Sequence, residues 1–180
     1  SVNLINDNHN GAVIKIRGGA ILNVKAGTVI TGKNSYLGIE SVNATTNVYD
    51  GAEIYQNGTS SDCGSLVGVS GGGTANIYGG YGASKKGCFI AMTSGGTINV
   101  YGGEWIANAN GAYANSNNSV LIAQSEEGAS SIVNVYGGTF KGGYNCYGDK
   151  VGDAQINIYG GNFNSNPATY VVKGVNVVED

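Results

Sequence analysis

One proline (Pro167), one histidine (His9) and one arginine (Arg17) occur in 180 residues, and 12% of the residues are charged. Near-absence of proline excludes a collagen-like helix, which also needs glycine at every third position. Nine Lys and Arg against twelve Asp and Glu leave a net charge of −3, no electrostatic footprint for nucleic acid. No apolar run approaches the roughly twenty residues of a membrane span, so membrane insertion is not expected. The sequence starts at Ser1 without a signal peptide, as a processed chain would, and this does not assign it to the cytoplasm. Cys63, Cys88 and Cys146 match no zinc spacing, since no two lie within four residues and His9 is remote. They read as small buried apolar residues, with a Cys63–Cys88 disulfide as the alternative. Neither a metal nor a cofactor is expected.

What is abundant is glycine, 32 residues, and asparagine, 23 residues. Both are poor helix formers, as are the β-branched residues around them. Disorder does not fit either, because 41% of the chain is hydrophobic and twelve tyrosines are spread along it.

One phrase recurs. It reads Leu-Asn-Val-Lys-Ala-Gly at 22–27, Thr-Asn-Val-Tyr-Asp-Gly at 46–51 and Ala-Asn-Ile-Tyr-Gly-Gly at 75–80. It returns as Ile-Asn-Val-Tyr-Gly-Gly at 98–103, Val-Asn-Val-Tyr-Gly-Gly at 133–138 and Ile-Asn-Ile-Tyr-Gly-Gly at 156–161. The anchors Asn23, Asn47, Asn76, Asn99, Asn134 and Asn157 are separated by 24, 29, 23, 35 and 23 residues. The basal period is thus 23–24, with two expanded repeats whose extra residues fall around Gln56–Asp62 and Ala107–Ser119.

Two more short β-rich segments follow each phrase, bounded by Gly, Asn and Ser. The first comprises Thr28–Ile30, Ala52–Tyr55, Glu104–Ala107, Thr139–Phe140 and Asn162–Phe163. The second comprises Tyr36–Glu40, Leu66–Ser70, Cys88–Thr93 and Val120–Gln124. Three short strands per 23 residues predict an all-β, parallel β-helix of about seven coils, in which each strand stacks on its equivalent in the next coil. A single domain over 1–180 is expected: residues 1–22 as the first coil, 23–162 as the repeats and 163–180 as a C-terminal cap.

Alternation within the phrase assigns faces. The residues flanking each anchor Asn are apolar in most repeats and should face inward; the Asn and the residue two positions on should face outward. Stacking then produces an Asn ladder and a second ladder of Lys25, Tyr49, Tyr78, Tyr101, Tyr136 and Tyr159. The paired glycines after Tyr should turn the corner, where φ can be positive. Phe140 and Phe163 should fill the core after it. Trp105 falls at the same place in the count, and so does Glu53.

The stretches Asn-Val-Tyr-Gly-Gly-Thr-Phe at 134–140 and Asn-Ile-Tyr-Gly-Gly-Asn-Phe at 157–163 resemble right-handed β-helix proteins of the pectate-lyase-like superfamily. They are most similar to the Gly-Gly-Thr-Phe repeats of bacterial surface proteins and of some phage virion proteins. The tail from Phe163 through Pro167 and Tyr170 to Gly174 looks like the closing segment of such arrays. The resemblance implies the architecture; it implies little about activity, because that fold carries lyases, hydrolases, adhesins and spikes.

The motifs that its enzymatic members use are missing. There is no paired Asp-Asp, no Gly-His-Gly and no Asp-rich calcium segment, and Lys15-Ile-Arg17 is a basic pair in reversed order. Glu104 and Asp50 lie two coils apart, about 10 Å by strand spacing. Glu126-Glu127 reads as a solvated turn, and the glycine-rich stretch at 79–87 as a corner loop rather than a phosphate loop. No catalytic residue is assigned.

Two features could bind. The tyrosine ladder (Tyr49, Tyr78, Tyr101, Tyr136, Tyr159), with Asn76, Asn99 and Asn134 beside it, suits sugar rings and hydroxyls; a structural stack or a protein-covered face are its other readings. The expanded coils, with Tyr113 in the longer one, carry recognition or are tolerated decoration. The expectation is a non-enzymatic, extracellular surface domain for adhesion to a glycan or a host or bacterial surface. A phage fibre, spike or capsid-decoration protein, a homotrimer in that case, is the alternative, and a polysaccharide lyase or hydrolase a third.

Overall fold

The structure, a computed structural model, describes residues 2–6, 11–57, 64–107, 119–142, 144–148, 153–164 and 167, and only the backbone at 119 and 144–148. Among them the chain winds through three strands per coil. The coils are β1 (Val2–Asn6), β2 (Ala12–Arg17), β3 (Ile21–Val24); β4 (Thr28–Gly32), β5 (Leu37–Val42), β6 (Thr45–Val48); and β7 (Glu53–Gln56), β8 (Val67–Ser70), β9 (Gly73–Ile77). They continue with β10 (Tyr81–Ser84), β11 (Phe89–Ala91), β12 (Gly96–Val100); β13 (Glu104–Ile106), β14 (Ser119–Ala123), β15 (Ser130–Val135); and β16 (Thr139–Lys141), β17 (Tyr144–Gly148), β18 (Asp153–Ile158). The last strand is β19 (Asn162–Phe163).

First strands stack into a seven-stranded sheet, second and third strands into two six-stranded sheets, each in coil order. Every pairing is parallel, and in the third sheet the six anchor asparagines are mutual partners. This is a parallel β-helix. The described residues make six complete coils and the opening strand of a seventh, slightly short of the expected seven; the cap expected over 163–180 lies largely outside them.

The core follows the alternation. Val24, Val48, Ile77, Val100, Val135 and Ile158 are buried from the third sheet, with Thr46, Ala75, Ile98, Val133 and Ile156 on the other side of each Asn. Thr46 is the polar exception, and its hydroxyl is held 2.6 Å from that of Ser41. Burial without a partner would have cost about 1–3 kcal/mol.

The second glycine of each pair has positive φ, 108° at Gly80 and 111° at Gly138, which explains why no other residue stands there. The first has ordinary φ but no room. A β-carbon on Gly137 would lie 2.7 Å from the Tyr101 carbonyl oxygen of the coil below.

Two expectations are corrected. The count that put Glu53 level with Trp105 and Phe140 is one residue off. The inward column of the first sheet is Ile30, Ile54, Gly82, Trp105, Phe140 and Phe163, and Glu53 pairs with Tyr81, which pairs with Glu104. A short strand, Tyr81–Ser84, was hidden because Gly82 replaces the large apolar residue there; it lies within the glycine-rich stretch at 79–87, which opens a strand and no helix. Cys88 is the small buried cysteine expected, a free thiol that is fully buried, and the alternative disulfide is not formed. Its burial pushes the thiol above its ordinary range. Cys63 and Tyr113 lie outside the described residues.

Candidate functional site

The outer face of the third sheet is built of three columns. Two positions before each Asn stand Ile21, Thr45, Thr74, Thr97, Ile132 and Gln155; then come the asparagines, then Lys25 and the tyrosines. The threonine column, Thr45, Thr74 and Thr97, is legible in the repeats themselves.

The Asn column is a continuous hydrogen-bond chain. Asn47 Nδ2 donates to Asn23 Oδ1, Asn76 to Asn47, Asn99 to Asn76, Asn134 to Asn99 and Asn157 to Asn134, each at 3.0 Å. A primary amide has two N–H donors and two acceptor lone pairs, so each internal Asn keeps one of each for another partner.

The tyrosine rings are near-parallel. Centroid separations are 5.2 Å for Tyr49–Tyr78, 5.3 Å for Tyr78–Tyr101, 5.0 Å for Tyr101–Tyr136 and 4.9 Å for Tyr136–Tyr159, with interplanar angles from 20° down to 5°. Such separations fit offset stacking, which leaves an edge and part of a face of each ring uncovered. The five rings remain 37–48% exposed although the internal ones have neighbours on both sides. The structure therefore brings Tyr49, Tyr78, Tyr101, Tyr136 and Tyr159 together with Asn76, Asn99 and Asn134 on one face. From Thr45 to Tyr136 none of the three columns carries a charge.

The outer face of the first sheet is different. Glu53, Tyr81 and Glu104 stand in one column, Tyr55, Ala83, Ile106 and Lys141 in the next. Tyr55 Oη donates to Glu53 Oε2 at 2.6 Å. This hydrogen bond, then partial burial and the Glu53 charge, raise the Tyr55 phenol to about 12. Lys141 Nζ lies 2.7 Å from Glu104 Oε1, and that hydrogen bond and charge hold the ammonium above its ordinary value. Glu104 is thus engaged by Lys141. Glu126 and Glu127 are exposed in a turn closed by Ala129 N–H donating to the Glu126 carbonyl at 3.0 Å. Among the described residues no group of His, Cys, Asp and Glu is arranged to hold a metal ion.

The second sheet carries a groove on its outer face, of about 320 Å³, lined by Tyr36, Leu37, Gly64, Ser65, Lys86, Ile90, Ile122 and Gln124. Half of its lining, Tyr36, Gly64, Ser65 and Lys86, comes from the variable corners between first and second strands, and the rest, Leu37, Ile90, Ile122 and Gln124, from the second strands or just after them.

No protein-family model, no curated protein and no solved structure matches the chain.

Proposed function

We propose that the chain is a non-enzymatic, surface-displayed binding domain whose ligand is a neutral glycan lying along the outer face of the third sheet. The observation that carries this reading is the exposed Tyr49–Tyr159 ladder running beside the Asn ladder. Each coil from Tyr49 to Tyr159 offers a phenol edge with its hydroxyl, a spare amide N–H and carbonyl lone pair, and in the coils of Thr45, Thr74 and Thr97 a threonine hydroxyl. The set repeats at one strand spacing, about 4.8 Å. An extended polysaccharide parallel to the axis meets equivalent groups at coil after coil, so weak contacts accumulate along one chain. The lack of charge over this area favours a neutral polymer over an acidic one. Resemblance of the Gly-Gly-Thr-Phe phrase to bacterial surface repeats supports an extracellular, adhesive setting. Engagement of Glu104 by Lys141 and of Glu40 by Lys15 supports a non-catalytic reading, since glycoside hydrolysis calls for two carboxylates facing one bond.

Affinity electrophoresis in gels containing soluble neutral polysaccharides, with pull-down on insoluble ones, tests it. The wild-type chain should be retained by at least one polymer, and Tyr101→Ala/Tyr136→Ala should weaken retention about tenfold or more. Retention unchanged in the double variant assigns the ladder to stability alone. No retention on any member of the panel overturns the reading.

A further inference from the structure

We propose that the groove on the outer face of the second sheet is a separate site for a single acidic sugar, a pyranose ring bearing a carboxylate. The groove arises from a local break in strand alternation. Leu66 and Val67 N–H both donate to the Cys88 carbonyl, at 2.9 and 3.0 Å, and both side chains enter the core. Two successive inward residues are the mark of a bulge. The coil below follows suit. The side-chain direction of Gly38 points into the core, where a β-carbon would lie 2.9 Å from Ile54 Cγ2, and Ile39 is also in the core. Leu37 is left on the outside, where its methyl groups lie over Gly68: a β-carbon on Gly68 would be 2.8 Å from Leu37 Cδ1.

Leu37, Ile90 and Ile122 form a small apolar cluster distinct from the main core. Ile90 and Ile122 belong to the outward column that begins with Lys15 and Glu40, yet they are only 8% and 4% exposed. They close the bottom of the groove and show only narrow apolar edges to it. Around it stand Tyr36, 40% exposed, and the polar side chains of Ser65, Gln124 and Lys86.

Size, polarity and charge point to one class of ligand. A volume near 320 Å³ is at the small end of ligand sites, about 300–1,000 Å³, and suits one ring rather than a polymer. Tyr36 offers an aromatic wall to the apolar face of a pyranose above the narrow apolar edges of the floor, and Gln124 offers an amide partner. Among the described residues, Lys86 is the one charged residue in the lining, and none is a carboxylate. Among the described residues the ion pairs join Lys15 to Glu40 and Lys141 to Glu104, leaving Lys86 available to an anion. The site is independent of the tyrosine ladder and does not rest on the glycan reading of that face.

Titration calorimetry on the full chain with glucuronate, N-acetylneuraminate and glucose as probes tests the assignment. At least one acid should bind while glucose does not. Lys86→Ala should weaken that acid about tenfold or more, Lys86→Arg should retain it, and Lys141→Ala, a lysine on the first sheet outside the groove, should leave it unchanged. Circular dichroism checks that each variant is folded. Equal binding of glucose, undiminished binding by Lys86→Ala, or no heat with either acid would overturn the proposal.

Discussion

The Trp105 indole occupies the space above the α-carbon of Gly82, its partner on the adjacent strand. A β-carbon on Gly82 would lie 2.9 Å from Trp105 Cε3 and Cζ3 and 2.5 Å from Leu66 Cδ1. Trp105 is fully buried, sits edge-on to Phe89 with centroids 4.9 Å apart, and donates its indole N–H to the Gly102 carbonyl at 2.9 Å. The missing side chain at Gly82 is therefore a condition for the largest one in the core. Gly82→Ala is expected to destabilise by about 1–3 kcal/mol through overpacking. The measurement is the denaturant midpoint at unchanged slope. Gly82→Ala/Trp105→Leu should lose less than the sum of the single changes; additive losses would mean that the two positions do not compete for one space.

The Asn chain makes a graded prediction. Asn99→Ala removes two ladder bonds, one donated to Asn76 and one accepted from Asn134. Asn23→Ala removes the one bond shown for Asn23, accepted from Asn47. Net values of about 0.5–1.5 kcal/mol per bond give an expected loss of roughly 1–3 kcal/mol at the centre and about half that at the end. Equal losses from denaturation curves would contradict a chain of bonds.

Tyr55 and Glu53 give a pH signature. The folded phenol titrates at about 12, against about 10 for an unperturbed tyrosine. The raised value means that the pair's stabilisation is fully present below about pH 10 and is lost as pH rises through about 12. Phenolate absorbance, read as the difference between wild type and Tyr55→Phe, should show the late titration. Glu53→Gln should move it down toward 10, and a Tyr55 that titrates at 10 in the wild type would refute the pairing.

Cys88 should be chemically silent in the folded chain. It is fully buried, and burial disfavours its thiolate, the reactive form. In a Cys63→Ser/Cys146→Ser variant, the remaining thiol is expected to react with a thiol reagent in denaturant and to resist it in native buffer. Prompt native labelling would place Cys88 at the surface instead.

Most of the fold was legible because the repeat acts as its own alignment. Once Asn23, Asn47, Asn76, Asn99, Asn134 and Asn157 are set in register, period-two alternation fixes the face of every neighbour. The Asn and Tyr ladders then follow without knowledge of any contact. The first sheet was harder to read. At Gly82 the pattern residue is absent, and Glu53 stands one position before the true inward residue, Ile54, so counting alone leaves the phase of this sheet ambiguous by one residue.

The sequence by itself determined the period, the three strands per coil and the two ladders, since these depend on local alternation and repetition. Tertiary structure alone decided that Trp105 fills the space left by Gly82, that Leu66 and Val67 both turn inward, and that Leu37 is thereby left outside to wall a groove with Lys86. The physical reason is that each of these is a contest for volume or for a carbonyl between residues in different coils, and its outcome depends on which side chains the stacking brings opposite one another.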